Sequence, residues 1–140
     1  MSGPVNGAPD QAAVGALRAA FAELHTLGEA IHAAVEDGDP FDAAALAYLA
    51  ARAAKRGGEA LDAIAAAEAR GVAPWGLASA VSLSGDEAAE ARDYAVALEA
   101  VLRASPAAPV CVVERLAVDM KLSAWRGGAR LDEAAAGGGV

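Results

Sequence analysis

Apolar residues recur at alternating spacings of three and four through the first long segment of the chain. The positions are Val14, Leu17, Phe21, Leu24, Gly28, Ile31 and Val35. This heptad pattern predicts an amphipathic helix with one buried stripe, in which Gly28 is the weak position. Asp10 is placed to cap the helix and the sequence EDGDP ends it, so residues 1–9 are expected to form a disordered tail.

A second helical pattern follows this break. Its apolar positions form two stripes, Leu46, Leu49 and Ala53 in one and Leu61 and Ile64 in the other. Asp39 is expected to cap the helix, with Pro40 at the first helical position and Gly71 after the last. Gly57 and Gly58 lie between the stripes, and the pattern leaves open whether they kink one helix or separate two.

The middle of the chain predicts a connector followed by another helix. Residues 72–85 contain Gly and Pro and are expected to link two helices, with one or two helical turns of their own. Ser84 and Glu87 have the spacing of a capping box, which predicts a helix that starts there and stops at the sequence SPAAP.

The last helical pattern runs from about Val110 to Trp125 and is apolar on two sides. One row is Val113, Leu116 and Met120, and the other is Val118, Leu122 and Trp125. A helix with two apolar sides is expected to be central or to pack against another chain. The alternative for the sequence PVCVV is a short strand. Residues 128–140 are expected to form a flexible tail.

These patterns together predict an all-α protein. The chain fits one helical domain over residues 10–127, built as an up-down bundle of four to five helices with a Gly/Pro-containing connector. Alanine makes up about 30% of the sequence, and only six residues are aromatic. Alanine favours helices but buries little area, so a monomer packs thinly, and we expect a homo-oligomer or an obligate protein partner.

Charge narrows the choice of partners. The net charge of -8 makes this an acidic protein and opposes binding to nucleic acid or to anionic membranes. The N-terminus lacks the basic region and apolar core of a signal peptide, so a cytoplasmic location is expected. The excess of Ala, Gly and Arg is typical of proteins from GC-rich bacterial genomes.

Both histidines lie in the sequence ELHTLGEAIH, where Glu29 and His32 have the Glu-x-x-His spacing of carboxylate-bridged di-metal bundles. The metal hypothesis is a ferritin-like site of Glu29, His32, His25 and Glu59. One Glu-x-x-His supplies only half of such a site, so a dimer would have to complete it. Against it, the heptad register turns Glu29 away from the buried stripe. The competing interpretation is a solvated Glu-His pair, stabilised at i, i+4 by His25.

Three further features carry weaker chemical signals. Arg52, Lys55 and Arg56 form a basic cluster, interpreted as a solvated face rather than a nucleic-acid or phosphate-docking patch. Cys111 lies between valines and is expected to be a buried structural thiol. Trp125 is expected in the core, with a partner anchor as the alternative.

No catalytic residue and no cofactor are predicted, so the sequence favours a non-catalytic interaction protein. An adaptor, assembly subunit or small chaperone that works by helix-helix association with itself or a partner fits this description. The predicted interaction seam is Val14, Leu17, Phe21, Leu24, Ile31, Val35, Val113, Leu116, Met120, Leu122 and Trp125. The alternative function is the metal-binding bundle.

Overall fold

The computed structural model describes residues 3–36, 40–71, 75–104 and 109–137. Four helices account for nearly all of them: α1 (Gly3–Glu36), α2 (Ala43–Arg70), α3 (Trp75–Ala104) and α4 (Val110–Gly137). The described residues contain no strand, and the sequence PVCVV opens α4 rather than forming one. The predicted all-α class is confirmed.

The helices form an up-down four-helix bundle. Each helix packs against the next along the chain, α4 closes the ring on α1, and α1 and α3 lie on a diagonal. The α1–α4 pair is antiparallel, because Arg18 in the middle of α1 pairs with Asp132 near the end of α4, while His32 near the end of α1 contacts Glu114 near the start of α4. Short connections between antiparallel neighbours produce this topology.

The α1 stripe predicted from the heptad pattern lies in the core of the bundle. Leu24 and Ile31 are completely buried, and the other large stripe residues are nearly so. From α4, Val113, Met120 and Leu131 reach the same core with no exposed surface. The stripe therefore holds the chain's own helices together, which is the intramolecular use of a heptad seam.

Small residues let α2 and α3 approach each other closely. The buried residues of α2 include Ala47, Ala50, Ala53, Ala60 and Ala67, and those of α3 include Ala88, Ala91 and Ala95. At Gly57, an added Cβ atom would lie 2.8 Å from the Cβ of Arg92. Residues 57 and 58 are helical, so α2 is one helix, and Gly57 serves the contact with α3 rather than a break.

The caps of α2 agree with the prediction at one end only. The N-cap is Asp42, whose carboxylate accepts hydrogen bonds from the backbone N–H groups of Ala44 and Ala45. The predicted cap, Asp39, lies outside the described residues. At the other end Gly71 is confirmed as the C-cap, with a φ of 76° that favours glycine.

The expected connector is largely helical, because α3 begins at Trp75. Ser84 is therefore in the helix interior, where its hydroxyl donates to the Val81 carbonyl, and the predicted capping box is wrong. Leu77, Val81, Ser84 and Ala88 are all buried at spacings of four, three and four. A small serine that donates to its own helix is tolerated on this face.

Both outer helices extend beyond the predicted domain limits. α1 starts at Gly3, so residues 3–9 of the expected N-terminal tail are helical. α4 continues to Gly137, because Leu131 is fully buried one helical turn beyond Gly127. Residues 128–137 of the expected C-terminal tail thus belong to the bundle.

Candidate functional site

The outward face of α4 carries the apolar row that the core does not use. Leu122 is 42% exposed and Trp125 is 60% exposed, whereas Met120 and Ala124 beside them are buried. The predicted placement of Trp125 in the core is wrong. The reason is its angle, because at about 100° per residue Leu122 and Trp125 project away from the row that begins at Val113.

Two half-buried residues extend this row in both directions. Val118, Leu122, Trp125 and Ala129 follow one another at spacings of four, three and four, and we name these four residues the outer stripe. Such spacing aligns them along one line of the helix surface. A contiguous apolar line facing solvent is typical of an interaction site, whereas a single exposed leucine is not.

A shallow groove of about 300 Å³ runs beside Trp125, between α4 and α1. Its walls include Ala22 and His25 from α1 and Gly128 from α4. The ion pair between Arg18 and Asp132 forms part of its rim. Glycine and alanine leave this room, since larger side chains would fill the space between the two helices.

Charged residues flank the outer stripe on the side turned away from α1. Arg115 and Asp119 pair within α4, with Nε of the arginine 3.2 Å from Oδ2 of the aspartate. Arg126 and Glu133 are exposed on the same flank, and neither makes an ion pair with another described residue. Arg130 on the same side pairs with Glu87 of α3, and the four other charged residues of the flank are two positive and two negative.

Lys121 organises a polar cluster between α1 and α4. Its Nζ lies 3.1 Å from Oε1 of Glu29 and 2.9 Å from Nδ1 of His32. The hydrogen bond and the charge of Lys121 hold the pKa of Glu29 below its ordinary value. Nε2 of His32 lies 3.3 Å from Glu36 and 3.5 Å from Glu114.

The four residues of the metal hypothesis belong to two separate groups. Glu29 and His32 share Lys121, and His25 is 4.0 Å from Glu29. Glu59 instead pairs with Arg56 in α2. Within the four described segments, no three His, Cys, Asp or Glu side chains are arranged to hold a metal ion. A lysine ammonium at the centre of the cluster repels a cation.

The basic cluster of α2 is largely neutralised by carboxylates. Glu23 of α1 lies between Arg52 and Arg56, with 3.3 Å and 3.0 Å to their Nε atoms. Its hydrogen bond raises the pKa of Arg52. Arg56 also pairs with Glu59, which leaves Lys55 as the cation of this cluster without an ion pair among the described residues. The geometry agrees with a solvated face.

Two placements could not be found by sequence reasoning. Glu87, predicted as part of a cap, is buried at 6% exposure and accepts a 2.6 Å hydrogen bond from Nη2 of Arg130. Cys111 is exposed, so the expectation of a buried thiol is wrong. It lies on the outward side of α4, two residues before the core row begins at Val113.

The predicted seam residues divide into an inner and an outer set. Those in the core are Val14, Leu17, Phe21, Leu24, Ile31, Val35, Val113 and Met120, with Leu116 half-buried. Only Leu122 and Trp125 face solvent. Residues on this face that were not part of the predicted seam are Arg115, Asp119, Arg126, Ala129 and Glu133. The spacing of Ala129 from Trp125 was the signal that could have extended the row.

No protein-family description, curated protein or solved structure matches this chain. None of the described helices combines the length and the apolar character needed to cross a membrane.

Proposed function

We propose that this chain is a non-catalytic helical interaction protein that associates through the outer stripe of α4. The observation that carries the proposal is the exposure of Leu122 and Trp125 on a helix whose other apolar row is already buried. The core is complete without them, so their apolar character has no role in holding the described bundle together. Tryptophan is enriched at the centre of protein interfaces, and Leu122 beside it adds apolar area.

The association would work by burying apolar surface between helices. Removing the outer stripe from water contributes about 25 cal/mol for each Å² of apolar area. The groove beside Trp125 is a recess into which a side chain of the other helix can pack. The charged flank would then decide which partner is accepted, because opposed charges favour one register and like charges reject others.

The polar cluster around Lys121 gives the metal-binding alternative no support. Oε1 of Glu29 and Nδ1 of His32 both contact the ammonium group, so a cation of the chain itself occupies the space between them. The cluster is better explained as a link between α1 and α4. The proposed roles are those of an adaptor, an assembly subunit or a small chaperone, with no catalytic step assigned.

The test compares Leu122→Asp with Leu83→Asp in the cells that produce the protein. Leu83 is a matched control, because it is a leucine of similar exposure, 47%, on α3 rather than α4. We expect the unaltered chain and Leu83→Asp to elute from a lysate in a complex heavier than the 13.8 kDa chain. Leu122→Asp should elute at the size of the free chain. Equal elution of all three proteins would refute the proposal.

A further inference from the structure

The outer face of α4 is complementary to itself when it is read in the opposite direction. We infer that the occupant of this face is a second copy of the chain, packed antiparallel around a twofold axis between Ser123 and Ala124. The inference rests on the proposed function and adds to it the identity and the orientation of the partner. A twofold axis requires the same patch on both subunits, so self-complementarity is its distinguishing feature.

The apolar residues meet in matched pairs under this symmetry. Leu122 of one copy lies opposite Trp125 of the other, and Val118 lies opposite Ala129. The two largest side chains are thus paired at the centre, and each smaller residue is paired further out. Because Trp125 borders the groove of about 300 Å³, Leu122 of the second copy has a recess beside the indole to enter. This is the arrangement by which a knob enters a hole between helices.

The charged residues on the flank turned away from α1 also fit this antiparallel arrangement. In an antiparallel pair, each flank of a helix faces the same flank of its partner, as the e and g positions do in coiled coils. Arg115 then lies within one residue of the position facing Glu133 of the second copy, and Asp119 within two residues of the position facing Arg126, offsets of about 1.5 Å and 3 Å that long side chains span. Arg126 and Glu133, which make no ion pair with the described residues of their own chain, each gain an oppositely charged neighbour.

The opposite flank places two like charges near each other, and each of them is already compensated. Glu114 would approach Asp132 of the second copy. Within one chain, however, Glu114 contacts His32 at 3.5 Å and Asp132 pairs with Arg18. Both carboxylates are therefore directed at partners on α1 rather than across the twofold axis.

Self-association also explains the mixed sign of the charged flank. A strongly basic or acidic partner would meet two attractive and two repulsive groups among Arg115, Asp119, Arg126 and Glu133. A second copy presents the same four groups in reverse order and satisfies all of them. Complementary charges of this kind set the register of an interface more than its affinity.

Sedimentation of the purified chain over a range of concentrations tests the pairing. The unaltered chain is expected to form a dimer. Arg115→Glu and Glu133→Arg should each weaken the dimer by about tenfold, because the symmetry repeats every new like-charge pair. An equimolar mixture of the two variants should dimerise as well as the unaltered chain, since each repulsive pair becomes attractive. The combined variant Arg115→Glu/Glu133→Arg should also recover.

Circular dichroism of each variant checks that the bundle is intact, and exposed charge changes are expected to leave it so. A monomeric unaltered chain, or a mixture that associates no better than its components, would overturn the antiparallel pairing. A different result refutes the proposed function, namely that Leu122→Asp elutes from the lysate at the same size as the unaltered chain. A monomeric purified chain that still needs Leu122 for its complex in lysate would refute only the second copy.

The thiol of Cys111 reports the orientation of the two copies. Antiparallel packing places Cys111 opposite Ala136 of the second copy, so the two Cys111 residues are about 37 Å apart along the helix. Mild oxidation should therefore leave the unaltered dimer without a disulfide between copies and should crosslink Ala136→Cys. Disulfide formation between the Cys111 residues of the unaltered dimer would indicate parallel helices and would overturn the register.

Discussion

Gly28 of α1 lies so close to α4 that an added Cβ atom would be 2.8 Å from the Cβ of Lys121 and 3.2 Å from its backbone nitrogen. The residue that interrupts the heptad stripe therefore lies at a close approach between the two helices. The short separation also lets the Lys121 side chain reach Glu29 and His32. The gap in the apolar pattern has a structural reason, because a side chain at residue 28 would overlap both the Cβ atom and the backbone nitrogen of Lys121.

Gly28→Ala is accordingly expected to destabilise the bundle. Overpacking of a fitted contact costs about 1–3 kcal/mol, and the gain in helix propensity offsets about 1 kcal/mol of it. Gly15→Ala is the control in the same helix, because nothing lies within 4 Å of its added Cβ atom. That change should raise the free energy of unfolding by about 0.5–1 kcal/mol. Urea denaturation of both variants measures the difference, and equal shifts would contradict the close contact.

Gly57 and Gly58 of α2 allow the same comparison at the contact between α2 and α3. Gly57→Ala would place a Cβ atom 3.1 Å from the Cα of Arg92, whereas Gly58→Ala meets nothing within 4 Å. We expect Gly57→Ala to lower the free energy of unfolding by about 1–2 kcal/mol and Gly58→Ala to raise it by about 0.5–1 kcal/mol. If both substitutions stabilised the protein, α2 and α3 would be further apart than described.

Glu87 and Arg130 join α3 to α4 through a partly buried ion pair. Arg130→Met removes the cation and leaves the carboxylate of Glu87, only 6% exposed, without its charged partner. The expected loss is about 2–3 kcal/mol, because an uncompensated buried charge is costly. Arg103→Met breaks the pair with Glu99, whose arginine is more than half exposed, and should change the stability by less than about 0.5 kcal/mol. Thermal unfolding of the two variants at neutral pH distinguishes them.

The regular part of this fold could be predicted from the sequence, and the reason is visible at Leu24 and Ile31. Both belong to an alternation of threes and fours, interrupted by Gly28 alone, which is the pattern of a helix with one buried side. Ser84 was predicted to start a helix because a serine three residues before a glutamate, here Glu87, has the spacing of a capping box. It lies on the same buried face of α3 as Val81 and Ala88, and the packing of this face against the other helices overrides the local signal.

The outer stripe was visible in the sequence only as one of two equivalent rows. Val113 and Leu122 are equally apolar, and no local rule states which of them faces the core. The decision depends on where α1 and α3 pack against α4, and therefore on contacts between residues far apart in the chain. The helical end of α4 was missed for a similar reason, since Leu131 follows two glycines that locally favour a break.

The pairing of Glu29 with Lys121 predicts a stability that depends on pH. Lys121 lowers the pKa of Glu29 in the folded chain below the ordinary value of 4.5, which applies in the unfolded chain. The carboxylate therefore stabilises the fold fully above pH 4.5, and this contribution is lost as the pH falls through the folded pKa. Because Glu29 is exposed, the effect is small and is best followed by NMR titration of its side chain.

Lys121→Met should return the pKa of Glu29 towards its ordinary value, since methionine keeps the length of the side chain and removes the charge. Lys55→Met is the control, because it changes the other lysine of the chain, at an exposed position on α2 away from Glu29. In that variant the titration of Glu29 should match the unaltered chain. A Glu29 titration that Lys121→Met leaves unmoved would mean that the link between α1 and α4 does not form in solution, and that solvent alone sets the charge of this carboxylate.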